Sequence, residues 1–225
     1  MEIRFEQAEV RYGEKVALQP LSLLLTENRI GVIGLNGSGK TTFARMINGL
    51  VKPTSGKVMV NGKDTTDANG ALADIGFIFQ SPQNQIILPI VREDIALGLK
   101  ARGVAKNELD ARIDGVLGRF GAQALGDRRA HELSGGELQI AALCSVLATE
   151  PALLILDEPT NQLDLKNRQK VASIISNLPE NIIVISHDLD LVADFDRVLV
   201  FDQGRLAADA PGRDAVNRYR DIALA

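Results

Sequence analysis

Nine residues, Gly34-Leu35-Asn36-Gly37-Ser38-Gly39-Lys40-Thr41-Thr42, constrain the fold of this chain more than any other stretch. They follow Arg29 to Ile33, a mostly apolar run that predicts a buried strand. They open a segment in which Phe43, Met46, Ile47 and Leu50 recur at helical spacing. Gly34, Gly39, Lys40 and Thr41 fit G-x-x-x-x-G-K-[ST], the phosphate loop that joins a strand to a helix. The residue types follow from the chemistry. Glycines let the backbone close around anion oxygens, where a Cβ would collide. The first helical turn adds unpaired N–H groups and a positive dipole end. Lys40 supplies a mobile charge for β- and γ-phosphates, and the Thr41 hydroxyl is an oxygen ligand for Mg²⁺. Asn36, Gly37, Ser38 and Thr42 complete the cradle. A nucleoside triphosphate site is expected, with Lys40 exposed where no phosphate is bound.

A chain of 225 residues, 45% of them apolar, can bury one substantial core, with room for a subdomain. The net charge of −4 gives no support to a nucleic-acid or anionic-membrane surface. Cys144 is the sole cysteine, so no internal disulfide can form, and its apolar helical setting predicts a buried thiol. His131 and His187 are the only histidines, with no Cys/His cluster that suggests zinc. The N-terminal residues lack the apolar centre of a signal peptide, and no run approaches the ~18 apolar residues that span a bilayer. A soluble protein is expected, reaching any membrane only through a partner.

Along the chain, Glu2 to Val10 and Val16 to Leu25 read as strands around a turn at Gly13, with Tyr12 beside it. An aromatic ring there can stack on a base or simply pack. Asn61-Gly62 predicts a hairpin after the strand Lys57 to Val60. Ile75 to Phe79 is a further strand ending at Gln80. Beyond Ser81 the pattern turns helical. Leu109, Ile113, Val116, Leu117 and Phe120 form one apolar stripe, stopped at Gly121. Pro89 to about Asp127 reads as an inserted helical subdomain, continued to about residue 150 by the helix that follows it, within a single domain spanning 1–225.

Three strand ends or helix starts then carry polar residues. Ser134 and Glu137 fit a capping box before a helical run to Ala148. Capping does not explain Gly135-Gly136 in the first turn, which weakens a helix; a second phosphate-facing helix start does. Ala152 to Leu156 predicts a strand buried on both faces and ends in Asp157-Glu158. Acids there are costly unless paired. A nucleotide-bound Mg²⁺ held by Asp157 supplies a reason, leaving Glu158 to accept a proton from water or orient it. Asn181 to Ile185 repeats the buried pattern and ends in Ser186-His187-Asp188, where His187 can reach a γ-phosphate. Arg197 to Phe201 reads as the last strand, and Gly212 to Arg220 as a closing helix.

Together these residues resemble the ATP-binding-cassette (ABC) ATPases over essentially the whole chain. GLNGSGKTT is similar to the Walker A loop, LSGGE at Leu133 to Glu137 to the family signature, and LLILDE at Leu153 to Glu158 to the Walker B strand with its catalytic glutamate. Tyr12 falls at the adenine-stacking aromatic, Gln80 at the Q-loop glutamine, Asp164 in the D-loop and His187 at the switch histidine. The resemblance implies an α/β fold: a P-loop NTPase nucleotide-binding domain with a RecA-like core, an antiparallel β subdomain and a helical subdomain. It implies ATP and Mg²⁺, the metal held near Thr41, Gln80 and Asp157, with Glu158, His187 and Gln80 at the catalytic centre. It also implies head-to-tail pairs of ATPase chains, either homodimer or heterodimer. Ser134, Gly135, Gly136, Glu137 and Asp164 of one chain would then face ATP held by the other.

The run IFQSPQNQIILPIVREDIALG, with a second Gln five residues after Gln80, resembles the energy-coupling-factor (ECF) importers of vitamins and of cobalt or nickel. The short C-terminus is most similar to the biotin systems. This implies a transmembrane coupling subunit and a substrate-binding membrane subunit as partners, no nucleic acid, and a peripheral place on the cytoplasmic face of the membrane. The alternative is a soluble ABC ATPase, as in iron–sulfur cluster assembly. Two residues depart from the family pattern: Ile140, where Arg is common, and Gln162, where many members carry Gly. Finally, Ile86, Ile87 and Leu88 are three successive apolar residues in a loop. They predict either packing on the helical subdomain or a groove for a cytoplasmic helix of the membrane partner.

Overall fold

The structure, a computed structural model, describes residues 1–67 and 74–224. These residues form two compact units. The first comprises Met1–Ile75, Ala152–Glu158 and Glu180–Ala225, and the second Gly76–Pro151 and Pro159–Pro179. The second unit thus reaches back before Pro89 and takes in a later segment that the apolar stripe alone does not indicate.

In the first unit, β1 (Ile3–Tyr12), β2 (Lys15–Leu25), β4 (Ser55–Val60) and β5 (Lys63–Asp64) make an antiparallel sheet in the order β2-β1-β4-β5. Asn61, with φ 50°, and Gly62, with φ 78°, turn β4 into β5. A parallel core is built from β3 (Arg29–Gly34), β7 (Leu153–Asp157) and β8 (Asn181–Ile185), with β9 (Arg197–Asp202) on the other side of β3. Every residue of β7 is buried, which explains its unbroken apolar run. The helix α1 (Lys40–Ile47) follows β3. Its Phe43 ring lies between Phe5 of β1, stacked at 4.8 Å, and Phe201 of β9 at 5.1 Å. That aromatic file fixes the helix, and with it the loop before it, against both sheets.

The first unit also contains a strand that the sequence pattern hides. β10 (Arg205–Ala210) pairs antiparallel with β9, so Arg197–Asp202 is not the last strand. Arg-Leu-Ala-Ala-Asp-Ala has poor strand propensity. Tertiary interactions hold it instead: Asp209 takes two hydrogen bonds from Arg197, at 2.7 and 2.6 Å, and Arg197 also pairs with Glu27. The closing helix runs Gly212–Leu224, longer than Gly212 to Arg220.

The second unit is helical. β6 (Ile75–Ile78) leads into it, followed by α2 (Val91–Ala101), α3 (Leu109–Arg119), α4 (Gly135–Leu147) and α5 (Leu165–Ser176). Leu109, Ile113, Val116 and Leu117 are the buried face of α3, while Phe120 lies beyond its last turn and is only half-buried. Cys144 on α4 is fully buried, and burial pushes its thiol up to about 12, so it packs as an inert apolar group. Ile140, where an arginine was the family expectation, is buried on the same helix. Among the described residues, no helix is long and apolar enough to cross a membrane.

Candidate active site

Three neighbouring parallel strands bring the site together at their carboxyl ends. Val32 of β3, Ile185 of β8 and Asp157 of β7 share one row of the sheet. The chain leaves that row as the Gly34–Thr42 loop from β3, as Glu158 from β7 and as His187 from β8. Open parallel sheets expose ligand sites at this edge, because strand ends and helix starts meet there.

Gly39 caps α1 with φ 104°, a conformation open only to glycine, and an added Cβ would stand 2.8 Å from the Ala17 carbonyl oxygen. No side chain caps the helix and no acid sits in its first turn. Its leading amides and dipole are therefore left for an anion. Gly34 is fixed by a different neighbour: its Cβ would collide with the Phe201 carbonyl. Gly37, by contrast, opens onto free space at φ 77°.

Lys40 is not exposed. It is 6% accessible, and its Nζ donates to the carbonyl oxygens of Gly34 at 2.8 Å and Leu35 at 3.0 Å. The ammonium folds inward because the loop it belongs to offers two acceptors within reach. Burial lowers its pKa, against the attraction of Glu158 and Asp157.

Thr41 Oγ1 donates to Asp157 Oδ1 at 3.2 Å, which sets a hydroxyl and a carboxylate side by side. Two hard oxygen donors suit Mg²⁺, which takes one or two protein ligands and completes its shell with phosphate and water. Burial raises the Asp157 carboxyl above its ordinary value, against the Thr41 hydrogen bond and the charges of Arg45 and Lys40. A cation beside it would relieve that cost.

Glu158 is buried and its backbone sits at φ 53°, a region sparsely used by residues other than glycine. Its N–H still pairs with Ile185 O at 2.9 Å, so the kink begins where the sheet ends. Oε2 accepts from the His187 amide at 3.1 Å. Oε1 lies 3.2 Å from His187 Nε2, yet the angle makes no hydrogen bond, and this buried oxygen has no donor. Burial raises the Glu158 pKa most, with the like charges of Asp157 and Asp188 adding to it. Burial and the nearby Lys40 charge lower that of His187, which keeps its imidazole neutral at pH 7. Ser186, fully buried, accepts from the Asp188 amide at 2.9 Å and shapes the turn that presents His187.

Of the other residues singled out from the sequence, Tyr12 ends β1 and is 56% exposed. Gln80 follows β6 and belongs to the second unit, as do Ser134, Gly135, Gly136, Glu137 and Asp164. There the capping box is complete: Ser134 N donates to Glu137 Oε2 at 2.8 Å and Ser134 Oγ accepts from the Glu137 amide. The two glycines behind it differ. Gly135 is exposed and open, whereas Gly136 is buried and a Cβ there would collide with Asn167 of α5. The close approach inferred for Gly136 is thus made by its own chain. Asp164 caps α5, accepting from the Asn167 amide at 2.9 Å and from its Nδ2 at 2.8 Å. Gln162, where the family often has glycine, holds φ 60°. Sequence reasoning missed Asp94, a buried acid in the first turn of α2; its position reads as that of an ordinary exposed helix-start acid.

Comparison with known proteins places this architecture. Residues 18–161 match the family model described as "ABC transporter". The chain is 70% identical over 223 residues to the biotin transport ATP-binding protein BioM of Rhizobium etli, covering 99% of this chain and all of that one. It is 37% identical over 230 residues to the energy-coupling factor transporter ATP-binding protein EcfA1 of Bacillus subtilis, covering 98% of this chain and 82% of the other. The solved structure of cbiO1 from Clostridium perfringens, part of the ABC transporter complex cbiONQ, superposes with a TM-score of 0.84 at 29% identity, covering 99% of this chain and 94% of that one.

Proposed function

The chain belongs to the ABC transporter family and is an ATPase of that family, and from this premise we propose that it powers an ECF-type importer whose substrate is biotin. The observation that carries the substrate is the 70% identity to a biotin transport ATP-binding protein across nearly all of both chains. The partners in this reading are a transmembrane coupling subunit and a substrate-binding membrane subunit, with the ATPase peripheral at the cytoplasmic face.

Within the reaction, Lys40 exchanges its two carbonyl bonds for the β- and γ-phosphates, guided by the uncapped start of α1. Asn36, Gly37, Ser38 and Thr42 line the same cradle, and Tyr12 stacks on the base. Thr41 and Asp157 would hold Mg²⁺, which supplies charge neutralisation between the phosphates. Glu158 is the base: its raised pKa and donor-free Oε1 equip it to take a proton from water, which a fully satisfied carboxylate does poorly. The neutral His187 steadies Glu158 through its amide and keeps Nε2 free to hydrogen-bond the γ-phosphate. Gln80 would sense the metal or the attacking water. Ser134, Gly135, Gly136, Glu137 and Asp164 serve a nucleotide held by a second ATPase chain, identical or related.

Co-purified with its membrane partners and reconstituted into vesicles, the protein should drive ATP-dependent uptake of radiolabelled biotin. Uptake of cobalt or nickel instead, with no biotin accumulated, would overturn the substrate.

A further inference from the structure

Asp94 of α2 is 6% exposed, and among the described residues no cation pairs with it. A buried carboxylate of this kind is costly unless its oxygens are fully used. Both are. Oδ1 accepts from the backbone N–H groups of Ile87 at 2.8 Å and Leu88 at 3.0 Å, and Oδ2 accepts from Ser145 Oγ at 2.7 Å. Ile87 and Leu88 precede the helix, which begins at Val91, so Asp94 is not capping its own N-terminus. It reaches back to a loop. Ser145 lies in the last turns of α4, the helix that Ser134 to Glu137 begin.

The loop so held presents Ile87 at 75% exposure. A loop that needed only to be folded down would bury that side chain, since an exposed isoleucine gains nothing from rigidity. Here a buried charge fixes the backbone while the apolar side chain stays outside. The arrangement makes sense if the side chain must stand at a set position relative to α4.

We propose that Asp94 is a positioning residue that ties the Ile86–Leu88 docking stretch to α4 through Ser145, so that a displacement of the signature helix is delivered to the partner helix seated on Ile87. The proposal rests on the importer reading above. Ser145→Ala cuts the tie and frees the Asp94 carboxylate to move, which loosens its bonds to the loop, while Ser145→Thr retains the hydroxyl. In reconstituted vesicles, Ser145→Ala should keep its ATP turnover, with a modest fall in the melting temperature of the isolated chain because Asp94 Oδ2 loses its one donor. Biotin taken up per ATP hydrolysed should fall roughly tenfold, the size expected for one hydrogen bond to a charged group. Ser145→Thr should recover it. Independently of transport, the Ile87 and Leu88 amides of the isolated Ser145→Ala chain should exchange with deuterium roughly tenfold faster than wild type.

Unchanged amide exchange overturns the proposal, whatever the vesicles do. So does an unchanged yield of biotin per ATP, or a loss of yield that Ser145→Thr does not recover. If wild-type vesicles hydrolyse ATP without taking up biotin, the importer reading fails instead, and the exchange measurement alone decides the tie.

Discussion

At Lys40 the ammonium serves the fold as well as the phosphates proposed for it, because it satisfies the Gly34 and Leu35 carbonyls from a buried position. Lys40→Ala should therefore abolish ATP binding and turnover and also lower the melting temperature, by an amount worth at most about 3 kcal/mol. Calorimetric titration with MgATP and a thermal melt of the same sample check both parts; full ATP affinity in a folded variant refutes the first. Glu158→Gln keeps an oxygen to accept from the His187 amide but loses the base proposed above. Turnover should drop ~10²–10⁴-fold. The same change should raise stability at neutral pH, because burial and like charges hold the Glu158 pKa above its ordinary value. The sign follows from linkage. Above the folded-state pKa the carboxylate is ionised in both folded and unfolded chains, and the fold bears the whole penalty. Below the ordinary value near 4.5 it is neutral in both, and the penalty is gone. Melts of wild type and Glu158→Gln should thus lie furthest apart above the raised pKa and converge as pH falls through 4.5. A constant gap would show that charge is not its cause.

Elements differ in how plainly the sequence announces them, and the difference has physical causes. β3, β7 and β8 are buried on both faces, so their apolar runs are continuous, and the polar residues that end them stand out as a site. β10 is an alanine-rich edge strand held by Arg197 and by pairing with β9, so its local composition carries no strand signal. The inward fold of Lys40 was equally hidden, because its acceptors are backbone carbonyls that any sequence possesses. Gly136 lies between these cases. Its glycine was legible as a close approach, but the partner, Asn167, is 31 residues away, in the first turn of α5 that Asp164 caps. Gly136→Ala should destabilise the chain by about 1–3 kcal/mol through this collision. Asn167→Ala introduced on top should return part of the loss, since it removes the atoms a Cβ would strike. Chemical denaturation of the wild type, Gly136→Ala and the double mutant tests this; a double mutant no more stable than Gly136→Ala places the strain elsewhere.

For the whole molecule, the question is how the ATP chemistry proposed for the first unit would be felt by the proposed membrane partners. Family membership settles that the chain is an ATPase. The exposed Ile87, held outward on a pinned backbone, is the feature of the second unit best suited to an external apolar surface. Ile87→Glu replaces it at a position with ample room, so folding should be unaffected; exposed substitutions of this kind usually stay within about 0.5 kcal/mol. A charge placed in an apolar interface must be desolvated on assembly, and an unpaired carboxylate is hard to bury. Ile87→Glu should therefore assemble poorly with the membrane partners and drive little biotin uptake, with the melting temperature of the isolated chain unchanged. Ile87→Leu, which keeps the apolar volume, should assemble and transport near normally. Co-purification yield and vesicle uptake, measured on all three proteins, decide it. If Ile87→Glu assembles and transports like wild type, the partner docks on another surface, and the exposed isoleucine has a purpose that this reading does not supply.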